Sequence, residues 1–362
     1  MAAGSFRLSA TRTGALILFG VIALACARWA TAGGEWLEPA ASARALPSLD
    51  GATSWINSPP LDATALRGHV VLIDFWTYSC INCLRTLPYV RAWQRKYASH
   101  GFVVIGVHTP EFNFEHAPRN IQRAVGDLGI DFPVAVDSQK RLWSAFGTRA
   151  WPTFYFVDGK GRIRHVQLGE GGYAQAELTI QQLLREAGRT GVPTDLVAPQ
   201  AVGTQAAAGA QPPASEETYL GIALARGFVA AAGGLEARRA LRYAPAPRLA
   251  LNQWTLQGDW KADAEHIQVL QAGGHIAYRF RARDLHLVLG PDSEGRPVRF
   301  RVRIDGHPPG GDHGSDVDTD GNGRIDTHRL YQLIRQDGSR QERLFEIEFL
   351  DPGARAYAFT FG

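Results

Sequence analysis

The sequence is poor in cysteine and methionine, carries little net charge and has no apolar run of membrane-spanning length. Its 362 residues include three cysteines and one methionine, Met1. The net charge of +3 is too small, and the lysines and arginines are too scattered, to predict nucleic-acid binding. Apolar residues make up 45% of the chain and charged residues 20%, which is typical of a globular protein with a hydrophobic core. The length predicts about two domains.

The N-terminal segment contains the apolar run ALILFGVIALACA, residues 15–27, which follows two arginines. The run is shorter than the roughly 20 residues of a membrane-spanning helix, and small residues at 30–32 follow it. These features are typical of a signal peptide, and we expect residues 1–32 to be one. An uncleaved anchor and lipid attachment at Cys26 are the alternatives. All three interpretations place the rest of the chain outside the cytoplasm, in the periplasm.

Removal of a signal peptide would leave two cysteines, Cys80 and Cys83. A disulfide between residues three apart closes almost no loop and adds little stability. Structural zinc requires four ligands, and neither a second cysteine pair nor His108 and His116 supplies the other two at zinc-finger spacing. We therefore expect a reversible dithiol–disulfide couple, with no metal site and no cofactor beyond this pair.

The residues around the pair predict a strand that is followed by a helix. HVVLIDFW, residues 69–76, is almost continuously apolar, as in a strand that is buried on both faces. After the cysteines, apolar residues recur at helical spacing until Gly101. Cys80 is thus placed at the first turn, where free N–H groups and the helix dipole favour a thiolate. Cys83 lies one turn further on, where it can attack a mixed disulfide on Cys80.

This pattern resembles the active site of thioredoxin-fold proteins. The resemblance implies that Cys80 is the attacking thiol and Cys83 the resolving thiol. It also implies that Asp74, six residues before Cys80, is a buried acid that assists proton transfer. The alternative for Asp74 is a strand-end residue that caps a turn. Trp76 is expected to pack beside the pair and to contact substrate.

A second element of the resemblance is TRAWPTFYFVDGKGRI, residues 148–163, which predicts a loop and two strands joined by a turn. Thioredoxin-fold proteins have a cis-proline before such a strand, facing the cysteines. The resemblance therefore implies a cis bond at Pro152. It also implies that a substrate segment pairs with the backbone of Trp151.

The stretch between these two motifs is longer than in plain thioredoxins, and residues 108–137 predict a loop, a helix from about 114 to 128 and a short strand. WTYSCINCLRTLPYV together with GVHTPEFNFE resembles the exported portion of DipZ-type thiol–disulfide proteins, from about Leu61 to the last residue. Those proteins carry a multi-span electron-transfer domain. Because one short apolar run stands here instead, a separate membrane protein is expected to supply the electrons. Glu111 is a candidate second acid for proton transfer, and the alternative is a solvated loop carboxylate.

The composition divides the rest of the chain into a redox domain, a linker and a β domain. The thioredoxin-like domain is predicted over 45–189, and an Ala-, Gly- and Pro-rich linker over 190–216. Over 217–362, segments such as VRFRVRI and FEIEF alternate apolar and charged residues. We predict an α/β thioredoxin-like fold, a central mixed sheet flanked by helices, followed by an all-β sandwich of jelly-roll type.

The C-terminal module of DipZ proteins resembles carbohydrate-binding modules, which implies a glycan as a partner of this domain. Four aromatic residues are candidates for stacking on sugar rings: Trp254, Trp260, Tyr219 and Tyr278. The alternatives are core packing, docking of protein substrates, or a spacer. DTDGNGRID, residues 318–326, begins like a calcium loop, but Arg329 stands where a glutamate is needed, so a plain loop is favoured.

We therefore expect an exported thiol–disulfide oxidoreductase that acts on protein disulfides. The two residues between the cysteines include no histidine or lysine to stabilise a strongly oxidising thiolate, which favours a reductase. A thiol peroxidase is one alternative, since Thr77 and Cys80 match part of the peroxiredoxin motif Pro-x-x-x-Thr-x-x-Cys, but Ile73 stands in the proline position. A non-enzymatic binding protein that acts through its β domain is the other.

Overall fold

The computed structural model describes residues 37–209, 211–337 and 341–362. The predicted signal peptide and Cys26 lie outside these ranges. Within them, no helix combines the length and the apolar character that a membrane crossing requires.

The N-terminal part of the described chain forms a mixed sheet with helices on both faces. Its strands are β1 (Ser54–Ile56), β2 (Val70–Trp76), β3 (Phe102–His108), β4 (Val134–Val136), β5 (Thr153–Val157) and β6 (Ile163–Leu168). Its helices are α1 (Ile81–Tyr97), α2 (Pro118–Asp127), α3 (Arg141–Phe146) and α4 (Tyr173–Glu186). The strand order is β1-β4-β3-β2-β5-β6.

Strand β2 is the centre of this sheet because all seven of its residues are buried. It runs parallel to β3 on one side and antiparallel to β5 on the other, and β3 in turn is parallel to β4. Apolar side chains cover both faces of the sheet, with α1 and α4 on one face and α3 on the other. This arrangement confirms the predicted thioredoxin-like fold.

The segment between β3 and β4 differs from the single helix predicted over about 114–128. A short 3-10 helix, Asn113–His116, comes first, and α2 then begins at Pro118. Ala117 between them is extended, with φ −72° and ψ 118°. A proline disfavours helical backbone in the residue before it and is itself well suited to the first helical position. Pro118 therefore divides the predicted helix in two.

The C-terminal part is an antiparallel sheet that curls on itself as a β-sandwich. Its strands are β7 (Thr218–Tyr219), β8 (Ala240–Tyr243), β9 (Trp254–Ala262), β10 (Ile267–Val269), β11 (Gly274–Phe280), β12 (Asp284–Gly290), β13 (Val298–Ile304), β14 (Asn322–Ile325), β15 (Arg329–Arg335), β16 (Arg343–Phe349) and β17 (Arg355–Phe361). The first half of β9 pairs with β11 and its second half with β10, so β9 joins the two halves of the sandwich. Alternate apolar residues of these strands meet in one core.

The segment predicted as a linker, residues 190–216, has little regular structure but is packed against the redox domain. A 3-10 turn, Gly203–Gln205, lies beside α1, and the Arg91 guanidinium donates a hydrogen bond to Gln205 Oε1 at 2.6 Å. Ala206 is buried. The segment therefore forms part of the contact between the domains.

A buried ion-pair cluster also joins the two domains. Arg85, on α1, is only 3% exposed and lies 3.0 Å from Glu170 and 3.4 Å from Asp284 of β12. The Asp284 carboxylate also contacts Arg283 at 2.7 Å and Arg335 at 3.7 Å. Apolar residues of β12, β15 and β17 share a core cluster with α1, so apolar contacts also join the two domains.

We expect the substitution Asp284→Asn to lower the free energy of unfolding by about 3–5 kcal/mol, because it removes the charge of the buried carboxylate that pairs with Arg85, Arg283 and Arg335. Urea denaturation followed by tryptophan fluorescence measures the change. Glu236→Gln is the matched control, since it removes a carboxylate from the exposed pair with Arg239 and should change stability by less than about 0.5 kcal/mol. If Asp284→Asn lowers the free energy of unfolding by less than about 1 kcal/mol, the cluster does not contribute to stability as a buried ion pair would.

Candidate active site

The two cysteines lie at the junction of β2 and α1 as free thiols. Cys80 caps the N-terminus of α1 and is half-buried, and its sulfur accepts a hydrogen bond from the N–H of Cys83 at 3.4 Å. At a helix N-terminus, free N–H groups and the helix dipole can stabilise negative charge that develops on a sulfur during exchange. Cys83 is fully buried. The geometry therefore presents one sulfur to a partner and keeps the other behind it.

Burial raises the pKa of the Cys83 thiol well above its ordinary value. Its hydrogen bond to Cys80 and the nearby charges of Cys80 and Asp74 raise this pKa further. Cys83 consequently holds its proton at neutral pH. A thiol in this state reacts once a neighbouring group takes the proton, which suits a second rather than a first nucleophile.

Asp74 lies in the middle of β2 and is fully buried. Neither of its carboxylate oxygens has a hydrogen-bond partner in the part of the chain that the structure describes. Burial raises its pKa to about 8. The alternative that Asp74 caps a turn is therefore wrong, because a capping carboxylate accepts backbone N–H groups. A buried carboxyl that titrates near neutrality is suited to exchange a proton with Cys83.

The loop before β5 forms a wall beside the cysteines. The Trp151–Pro152 peptide bond is cis, which confirms the prediction from the resemblance. The carbonyls of Ala150 and Pro152 accept hydrogen bonds from Thr153 Oγ1 at 2.7 Å and from the N–H of Gly169 at 2.8 Å. Among the described residues, none bonds to the backbone of Trp151. That backbone is available to an extended substrate segment.

The prediction that Trp76 contacts substrate is wrong. Its side chain is 0% exposed and packs edge-on against His108, with the ring centres 5.3 Å apart. His108 is also fully buried, and burial lowers its pKa to about 3, so the ring is neutral. Trp76 is the last residue of a strand with every side chain buried, and it supports the site from within the core.

Glu115, to which the sequence assigns little importance, holds the loop before Cys80 in place. It is fully buried, and its Oε1 accepts hydrogen bonds from Thr77 Oγ1 at 2.5 Å and Ser79 Oγ at 2.6 Å. Its Oε2 accepts the N–H groups of Glu111 and Phe112. Because the Thr77 hydroxyl is engaged here, it is not free to orient a peroxide as a peroxiredoxin threonine does.

Glu111 is half-buried and lines a cavity that Cys80 also lines. Burial raises its pKa to about 8, and the nearby carboxylates of Glu217 and Glu115 contribute. The hydroxyl of Tyr219 donates a hydrogen bond to its Oε1. The alternative of a freely solvated loop carboxylate is therefore wrong.

This cavity is a cleft of about 760 Å³ between the two domains. The redox domain lines it with Cys80, Glu111, Arg149 and Trp151, and the linker and C-terminal domain line it with Gln211, Glu216, Glu217, Tyr219 and Phe361. The reactive sulfur is thus reached through a site to which both domains contribute.

The four aromatic residues expected to stack on sugars do not form a binding face. Trp254, Trp260 and Tyr278 are at most 1% exposed, and each polar atom already has a protein partner. Tyr219 lies in the redox cleft. The glycan prediction is therefore wrong for Trp254, Trp260 and Tyr278, because their rings are enclosed in the core.

The segment that begins like a calcium loop forms a turn instead. The Asp318 carboxylate accepts N–H groups from Asp320 and Asn322 at the start of β14. Throughout the described ranges, no group of three or more His, Cys, Asp or Glu side chains is arranged to hold a metal ion.

Comparison with known proteins finds two family models along the chain. Residues 48–179 match the family model described as Redoxin, and residues 215–362 match the one described as Thioredoxin like C-terminal domain. The thiol-disulfide oxidoreductase YkuV of Bacillus subtilis is 30% identical over 141 residues, which cover 39% of this chain and 95% of YkuV. A thioredoxin-like protein solved in solution in its oxidized form is 30% identical, with 40% of this chain and 97% of that chain covered and a TM-score of 0.37.

The fold, the cysteine pair and the relatives together define the class of protein. The chain belongs to the thioredoxin-like thiol–disulfide oxidoreductases. Within that class it is homologous to the protein DipZ of Mycobacterium tuberculosis, with 36% identity over 251 residues that cover 67% of this chain and 35% of DipZ. The matched length exceeds either domain alone, so the similarity extends across both. The chain spans about a third of the length of DipZ.

Proposed function

We propose that the protein is a reductase of protein disulfides that acts outside the cytoplasm. The observation that carries this proposal is the pair itself: a half-buried Cys80 at a helix N-terminus and a buried, protonated Cys83, whose pKa is influenced by an Asp74 that has no hydrogen-bond partner among the described residues. The short apolar segment near the N-terminus supports export. A separate membrane protein would then return electrons to the oxidised pair.

The reaction proceeds in two exchange steps. The thiolate of Cys80 attacks one sulfur of the substrate disulfide, forms a mixed disulfide and releases the other substrate sulfur as a thiolate. Asp74 takes the proton of Cys83, whose sulfur then attacks Cys80 and releases the second substrate thiolate. Two electrons pass from the cysteines to the substrate, and the two thiol protons end on the two product thiols. The free backbone of Trp151, beside Pro152, aligns the substrate chain during both steps.

We expect a reduction potential near that of thioredoxin, roughly −270 mV, for the Cys80–Cys83 couple. The residues between the cysteines, Ile81 and Asn82, add no positive charge that would stabilise the reduced thiolate. Equilibration in dithiothreitol or glutathione buffers, with the two states separated by alkylation and mass spectrometry, measures the potential. A value near −120 mV would identify an oxidase and overturn the proposed direction.

A further inference from the structure

Tyr219 brings the C-terminal domain into direct contact with the redox site. It lies on β7, lines the same cleft as Cys80, and donates a hydrogen bond from its hydroxyl to Oε1 of Glu111. Its neighbours fix the strand: Thr218 Oγ1 lies 2.8 Å from the Tyr278 hydroxyl, and the N–H of Leu220 bonds to the carbonyl of Tyr357 at 2.8 Å. The phenol is therefore held in place by the β domain, where it contacts the Glu111 carboxyl of the redox domain and the Glu217 carboxyl of its own domain.

We propose that Tyr219 is a positioning residue of the redox site, which holds the Glu111 carboxylate as the acceptor of the proton that Cys80 releases. The inference rests on the proposed thiol–disulfide exchange and gives the C-terminal domain a part in it. The domain docks rigidly enough for such a role, because the buried contacts of Arg85 with Glu170 and Asp284 join the two domains near the cysteines.

The step balances within the first exchange. Glu111 receives the proton of the Cys80 thiol, and the sulfur attacks the substrate disulfide. One substrate sulfur becomes bonded to Cys80, and the other leaves with the electron pair of the broken bond. The leaving thiolate then takes a proton from Glu111, which regenerates the carboxylate. The second exchange uses Cys83 and Asp74 as described above, so each cysteine has its own carboxyl.

The groups that face Glu111 determine when it can accept this proton. Glu115 lies on its own segment, Glu217 and Tyr219 on the C-terminal domain, and Lys140 at the start of α3, and Cys80 lines the same cleft. Burial and the two neighbouring carboxylates raise the pKa of Glu111, whereas the Tyr219 phenol and Lys140 lower it. A donated hydrogen bond stabilises the carboxylate form, so loss of the phenol must raise this pKa further.

The substitution Tyr219→Phe tests the inference in the full-length reduced protein. We measure the rate of its reaction with dithiobis(nitrobenzoate) by stopped flow across pH. This reagent releases a thiolate that needs no proton, so the profile reports loss of the Cys80 proton alone. We expect the ascending limb of the pH–rate profile to move to higher pH by about one unit. At a pH on this limb the rate should fall about tenfold, and the plateau rate at high pH should not change.

Two further variants complete the test. Tyr357→Phe removes a phenol from the same domain interface that packs on Phe112 without contacting Glu111, and its profile should match wild type. Glu111→Gln should move the limb to higher pH at least as far, and adding Tyr219→Phe to it should change nothing more. An unshifted limb in Tyr219→Phe, or an equal loss at all pH values, would overturn the inference. Reaction with the reagent that survives Cys80→Ser would instead overturn the proposed function, whatever Tyr219 does.

Discussion

Replacing Cys80 with serine is expected to reduce the rate of disulfide reduction by at least about three orders of magnitude, because the attacking sulfur is lost. Cys80 is the sulfur of the pair that reaches the cleft, whereas Cys83 is fully buried and cannot take its place. Reduction of insulin disulfides, followed by turbidity with dithiothreitol as electron donor, measures the effect. Because serine is close to cysteine in size and the site is a helix cap, the variant should remain folded.

Replacing Cys83 with serine should give a different result from the same assay. Cys80 can still form the mixed disulfide, but no second sulfur follows to release the substrate. The variant should therefore lose turnover and accumulate a covalent adduct with substrate, visible by mass spectrometry and cleaved by dithiothreitol. Sustained turnover in either variant, or adducts on the double variant Cys80→Ser, Cys83→Ser, would contradict the roles assigned to the two sulfurs.

The parts of the fold that are local in sequence could be predicted, and those that depend on contacts between the domains could not. The buried run of β2, the helix after Cys80 and the cis bond at Pro152 each follow from a short stretch of residues and its resemblance to known proteins. Tyr219 and Asp284 lie 108 and 199 residues from their partners in the redox domain. No spacing rule relates residues so far apart without an alignment.

The wrong predictions about the site residues have a related physical cause: the type of a residue does not determine whether its side chain is exposed. Trp76 looks like a substrate contact because it is close to the cysteines in sequence, yet both faces of its central strand are covered, so its side chain lies in the core. Glu115 lies four residues after Glu111 and has no feature that marks it strongly in the sequence, yet it is fully buried as the acceptor for two hydroxyl groups. Its signal in the sequence is weak: a glutamate that can bond back to the N–H groups of its own turn.

The substitution Asp74→Asn is expected to slow the resolving step by about 100-fold or more, because the buried proton acceptor for Cys83 is removed. The attack by Cys80 should change little, since its sulfur lies on the cleft side. Quench-flow measurement of the decay of a mixed disulfide isolates the step. Asp137→Asn is the matched control: Asp137 is also buried but accepts bonds from Thr109, Leu142 and Trp143, so its loss should lower stability and leave the resolving rate unchanged.

Stability should move in the opposite direction from activity in Asp74→Asn. The carboxyl has an ordinary pKa of 3.8 in the unfolded chain and about 8 in the folded protein. Between these pH values the unfolded chain has lost the proton that the folded protein keeps. The free energy of unfolding therefore falls as pH rises through this window, and the full loss of stability caused by burying Asp74 is reached above pH about 8. Asparagine removes a penalty on the order of 5 kcal/mol at most, so urea denaturation should show a more stable variant at pH about 8 and convergence with wild type near pH 4. A variant that is slow and also less stable at high pH would mean that Asp74 has a buried partner, and its role as the proton acceptor of Cys83 would be wrong.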